Sequence, residues 1–261
     1  MAPVGALVGF HRLLGLHTND AYAFLAGTHQ RMPGAASLAR KSIIGGSMNE
    51  TTHAFRRLCE NLKYARGLVD GGRRLEAQDI QDFDVTDLYR SAWVMAVAAL
   101  DHWVFEEIRH RALALLLKPD GPKPSGLRKL SIPVDLFDRI HYGGESREAV
   151  FGEMLDREFG HESYQNPRYI QEAFKHVSDV KLWAEVAKRA HAHGDQVDAK
   201  EVQARLKRIM ERRNQIVHQA DLDQADPNRR QPVSAEEAAA VISRLEETAA
   251  YIVMALDGGS R

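Results

Sequence analysis

Apolar residues recur along most of this chain at intervals of three and four, the spacing of one face of an α-helix. The longest such pattern runs from about Thr86 to Leu117, with Asp84 or Thr86 as its cap and Pro119 and Gly121 at its end. Its middle, Ala92 to Leu100, is apolar on every side, which predicts a central buried helix. Asn49 can cap an earlier helix reaching about Val69, with Gly71-Gly72 as its stop. Asp198-x-x-Glu201 starts a helix over 198–218, and Ser234-Ala-Glu-Glu237 is a capping box opening another over 234–256. Shorter helices fit 19–26, 135–141, 147–159, 167–177 and 181–193, with Pro167 placed in a first turn. Residues 32–47 and the proline-rich 118–133 read as loops. No run alternates convincingly as a strand, and no repeat or heptad run is present. The class is all-α, and the helices at 49–69, 86–117, 198–218 and 234–256 are the natural members of a bundle.

One polar residue breaks this pattern. Leu206, Ile209, Met210, Ile216 and Val217 form an apolar stripe, and Arg213 falls on it. A guanidinium in that position needs a partner, because a buried unpaired charge is costly. Asn214 and His218 are four apart and share a face. His218 sits in the last turn, at the negative end of the helix dipole. An arginine, an amide and an imidazole at one helix end can bind a phosphate and move a proton. Asp101 interrupts the apolar helix in the same way. It fits a contact with Arg111 or His102, or alternatively a role holding Arg213 or orienting His218. Arg205, Lys207, Arg208, Arg212 and Arg213 make a local basic face, which is either simply solvated or attracts phosphate. Aromatic residues are not interleaved with it, and Trp93, Trp103 and Trp183 read as packing anchors.

Composition narrows the classes. The chain has 261 residues, 44% of them hydrophobic, enough for a full core, and a formal net charge of -1. Any nucleic-acid surface is therefore a patch and not a global field. The single cysteine, Cys59, rules out an internal disulfide and suits a reducing cytoplasm, with Cys59 itself a small apolar filler. The first ten residues lack the pattern of a secretory signal, and Ala92–Leu100 is too short to span a bilayer, so a soluble cytoplasmic protein is expected. The twelve histidines show no zinc-ligand spacing such as His-Glu-x-x-His, and no phosphate-loop or dinucleotide glycine motif occurs, so neither metal nor cofactor is expected.

Arg213-Asn-Gln-Ile-Val-His218 resembles the Arg-polar-x-x-x-His motif of the HEPN superfamily, all-helical domains of many prokaryotic toxins and anti-phage effectors. Ser91 to Ile108 is similar to the first core helix of the HEPN subfamily associated with RiboL-PSP modules. Leu182-Trp183, Arg212 to Asp221 and the last amphipathic helix are similar as well. The resemblance covers about residues 84–256, leaving 1–83 as an N-terminal helical extension and 257–261 as a tail. It implies a HEPN-like bundle with additional peripheral helices, a homodimer with two motifs facing one cleft, and metal-independent endoribonuclease activity. By position, Arg213 and His218 would be the motif pair, Asn214 the polar residue and Asp101 an accompanying acid. Arg205, Arg208 and Arg212 would meet RNA. An antitoxin or defence-system partner is the further expectation. An inactive HEPN scaffold or RNA-binding module is the alternative.

Overall fold

The computed structural model describes residues 52–78 and 83–258. The helix expected near 19–26, the loop at 32–47, the Asn49 cap and the end of the tail lie outside these residues. Within the described residues the fold is all-helical: α1 (His53–Glu76), α2 (Thr86–Leu117), a 3-10 turn (Leu127–Lys129), α3 (Val134–His141), α4 (Arg147–Phe159), α5 (Pro167–Phe174), α6 (Leu182–Ala192), α7 (Ala199–His218) and α8 (Ala235–Gly258). The only ladder fragment among them is an isolated bridge between Leu222 and Arg230.

The helix starts follow the local chemistry. Ser234 Oγ accepts from Glu237 N at 3.1 Å and Glu237 Oε2 from Ser234 N at 2.8 Å, the reciprocal capping box. Asp198 Oδ1 accepts from Glu201 N at 2.7 Å. Asn166 caps α5 with Pro167 at its first position. Asp84 Oδ1 accepts from Thr86 N at 3.0 Å where α2 begins.

Helix α1 packs antiparallel along α2. Thr52, its N-cap, donates to the buried Glu107 at 2.6 Å, and Phe55 meets Trp103 edge to face with ring centroids 6.5 Å apart. At the other end Gly72 lies under Tyr89. The expected stop at Gly71-Gly72 is corrected here, since α1 runs through both glycines to Glu76. A Cβ at Gly72 would come within 2.8 Å of Tyr89 Cζ, so the glycine serves close helix approach and not termination.

Helix α8 runs antiparallel to α1, tied by Arg66 to Glu246 at 2.5 Å and Arg73 to Glu236 at 3.2 Å. Helix α7 runs antiparallel to α2, where Trp93 Nε1 donates to the Ile209 carbonyl at 3.0 Å. Leu58, Leu62, Leu100, Trp103, Ile108, Leu206, Ile242 and Leu245 are all buried in the common core. The expectation that the middle of α2 is buried on every side holds for Ala92, Ala96, Val97, Ala99 and Leu100 but not for Met95 and Ala98, which are exposed. Among the described residues, the helices packed around α2 leave the arc that carries Met95 and Ala98 open. No helix among the described residues is long and apolar enough to cross a membrane.

Candidate functional site at the end of α7

An α-helix advances about 100° per residue, so the side chains of α7 sort onto three faces. Val202, Leu206, Ile209 and Met210 form the buried face. Arg213 extends it by one turn, followed by Ile216 and Val217, and by Val217 the stripe has run off the core, for that side chain is 45% exposed. Arg213 is half-buried. Its Nη1 donates to Asn214 Oδ1 at 3.1 Å, and its Nε is buried without a hydrogen-bond partner among the described residues. The sequence marked this guanidinium as one that needs a counter-group, and among the described residues Asn214 is the side chain that meets it.

The second face is polar and open. Glu211, Asn214, Gln215, His218 and Gln219 line a shallow surface pocket. His218 is exposed and is the last residue of the helix. Asn214 therefore joins two faces, lining the His218 pocket while accepting from Arg213. Arg213 and His218 themselves lie five residues apart, about 140° around the axis.

The third face carries Arg205, Arg208 and Arg212. With Trp93, Ile209 and Arg244 among its lining residues, it walls an open groove of about 560 Å³ between α7 and α8. Arg205 binds Asp195 at 2.9 Å and Glu201 at 2.9 Å, and Arg208 reaches Glu201 at 3.1 Å. Burial alone would push the Asp195 carboxyl up. Hydrogen bonds and charge from Arg205 and Arg244 outweigh it and hold the group below its ordinary value.

Arg212 belongs to a clasp that local sequence reading does not reveal. The chain leaving α7 passes through two left-handed residues, Ala220 at φ 50° and Asp221 at φ 60°, and turns Asp221 into the interior. Asp221 is fully buried, and its Oδ2 accepts from Arg90 Nε at 2.7 Å and from Arg212 Nη2 at 2.9 Å. Arg90 also donates to the Gln231 carbonyl at 2.8 Å and to Thr86, and Arg212 donates to Gln231 Oε1 and, at 3.2 Å, to the Pro232 carbonyl. Desolvation lowers the Arg212 pKa, opposed by Asp221 and reinforced by Arg90. The clasp joins the start of α2, the turn after His218 and the approach to α8. Its one sequence signal is Arg90, a cation on the core side of an apolar helix.

Asp101 does not meet Arg213 or His218. Its Oδ1 accepts from Tyr164 N at 2.6 Å and its Oδ2 from Gln165 Nε2 at 3.0 Å, so it fastens the segment before α5. The proposed holding role is corrected: Asp101 lies farther along α2 from the Arg90 clasp, opposite the start of α5 and not the end of α7. The alternative partner Arg111 is bound to Glu107 and Asp257 instead. Among the described residues no three His, Cys, Asp or Glu side chains converge as a metal cage. Cys59 is half-buried and packs on the core.

Comparison of the chain with protein-family models, with curated proteins and with solved structures returns no match.

Proposed function

We propose that this protein is a metal-independent endoribonuclease of the HEPN type, working as a homodimer in which Arg213 of one copy and His218 of the other approach the same phosphate. The observation that supports this most is the state of Arg213, on the core stripe of α7 with Nε buried and unpartnered among the described residues and Nη1 bonded to Asn214, which itself borders the pocket of the exposed His218. A buried donor without an acceptor is costly, and the Nη1 end of the same guanidinium, at the surface beside Asn214, is the part open to a phosphate oxygen. The angle of about 140° between Arg213 and His218 suits a site shared between two copies, with the half-exposed Val217 at the end of the stripe beside it.

The chemistry needs no metal. The 2′-hydroxyl of RNA loses its proton to a histidine and attacks the adjacent phosphorus. The bond to the 5′-oxygen breaks, and that oxygen takes a proton from the second histidine, leaving a 2′,3′-cyclic phosphate and a 5′-hydroxyl. Arg213 neutralises the charge that builds on the non-bridging oxygens. Asn214 fixes the guanidinium and borders the histidine pocket. A role as an effector in phage defence, restrained by a partner protein, is the biological setting this reading suggests.

The test is total RNA and tRNA incubated in EDTA with wild type and with His218→Ala. Cleavage by wild type alone, with cyclic phosphate ends, is the expected result. Intact RNA in both reactions, together with no growth arrest on expression of the wild type, overturns the proposal in favour of a non-enzymatic scaffold.

A further inference from the structure

Large apolar side chains are exposed at ten positions among the described residues, and four of these, Ile132, Val134, Phe137 and Tyr142, lie on or beside α3. The helical turn explains their arrangement. At about 100° per residue, Leu136, Ile140, Phe137 and Val134 follow one another around α3 over an arc of about 160°. The bundle covers one edge of that arc, for Leu136 is buried and Ile140 half-buried. On the other edge Phe137 and Val134 are 50% and 75% exposed. The exposed His141 lies between them around the axis, its ring stacked on Phe137 with centroids 4.1 Å apart. Single apolar residues scattered over a surface need no explanation, but a continuous apolar edge marks a face that another molecule covers. The charge beside it indicates which kind. Beyond Val134 around the helix come Asp138 and then Asp135, both exposed, and neither forms an ion pair among the described residues. Arg139 follows and is already engaged, bound to Glu145 at 2.7 Å and to Glu153 at 2.8 Å. The outward face of α3 is thus an apolar strip with a negative border and no free arginine or lysine of its own.

We propose that this face docks an amphipathic helix of another protein, one whose apolar stripe is flanked by lysine or arginine. Val134 and Phe137, with Tyr142 at the helix end, receive the apolar stripe, and Asp135 and Asp138 receive the cations. Charge complementarity selects this occupant over two others. The same carboxylates repel an anionic lipid surface. A second copy joined through α3 brings two more aspartates and no free arginine or lysine to the contact. The inference is independent of the ribonuclease reading, since none of these residues lies on α7.

Fluorescence anisotropy of a labelled helical peptide built of leucine and lysine, titrated with the whole protein, tests this. The matching leucine–glutamate peptide and phosphatidylserine-containing vesicles are titrated in parallel. Saturable binding of the lysine peptide and none of the glutamate peptide is expected. Phe137→Ser should weaken binding by about tenfold or more, as loss of a central aromatic anchor does. The double variant Asp135→Lys, Asp138→Lys should weaken it by about tenfold at low salt, a difference that shrinks as salt rises. All three side chains are exposed, so the variants keep the fold, and circular dichroism checks this. Absence of peptide binding, or equal affinity in wild type and both variants, overturns the proposal. Vesicle binding that Phe137→Ser abolishes overturns it in favour of a lipid surface. Self-association of the wild type that Phe137→Ser abolishes in sedimentation overturns it in favour of a second copy.

Discussion

Asp221→Ala tests the clasp most directly. The substitution leaves two guanidinium groups, Arg90 at 5% and Arg212 at 13% side-chain exposure, without their shared carboxylate. Breaking a buried ion pair from one side costs about 3–5 kcal/mol, because the orphaned charge stays desolvated. Both arginines keep carbonyl acceptors around Gln231, which places the loss at the lower end, about 3 kcal/mol. For a unit of this size that is a fall in Tm of roughly 6–12 °C. Backbone conformation gives a second reading. Asp221 sits at φ 60°, which alanine tolerates less well than aspartate and glycine adopts freely. Asp221→Gly should therefore lose less than Asp221→Ala, by a few tenths to about 1 kcal/mol after the greater freedom of unfolded glycine is subtracted. Urea denaturation followed by far-ultraviolet circular dichroism measures all three proteins. A loss below about 1 kcal/mol for Asp221→Ala, the range of an exposed pair, would show that the carboxylate is not the buried centre of the turn.

Gly72→Ala should destabilise by about 1–3 kcal/mol through overlap with Tyr89, whereas Gly67→Ala, with open space around it, should stabilise α1 by about 0.5–1 kcal/mol; opposite shifts in urea midpoint check the pair. Asp101→Ala should cost about 1–3 kcal/mol by leaving Tyr164 N without its acceptor, yet leave any cleavage of RNA in EDTA intact, and a loss of cleavage in a folded Asp101→Ala protein would restore it to the site. Asp195 has a lowered folded pKa, so its contribution to stability is complete above the ordinary value of 3.8 and disappears as pH falls through the lower folded value. The stability gap between wild type and Asp195→Asn should accordingly be constant from pH 5 to 7 and close below about pH 4, as read from urea midpoints across that range.

Much of the fold was legible in the chain because helix boundaries are set locally. The Ser234–Glu237 capping box, the Asp198 cap and Pro167 in a first turn each sit where their spacing put them. The Gly71-Gly72 stop failed for the opposite reason: those glycines answer to Tyr89, a ring that only the packing of α2 brings near. The same divide runs through the site. Asn214 and His218 share a pocket as four-residue spacing requires, and Arg213 lies on the core stripe. The partner of Asp101, the burial of Arg212 against Asp221 and the entry of Arg244 into the groove all depend on contacts between distant segments, which no helical period encodes.

Arg90 and Asp221 are separated by 131 residues, and Arg90 and the Gln231 carbonyl by 141. During synthesis, the whole Arg213–His218 segment leaves the ribosome before the residues that fasten the turn behind it. A chain released between 218 and 231 holds every motif side chain and lacks the Gln231 and Pro232 carbonyls that close the clasp. The six-residue motif is thus not a portable cassette. Its geometry waits on the Gln231 and Pro232 carbonyls, and any nascent chain that stops short of them lacks it.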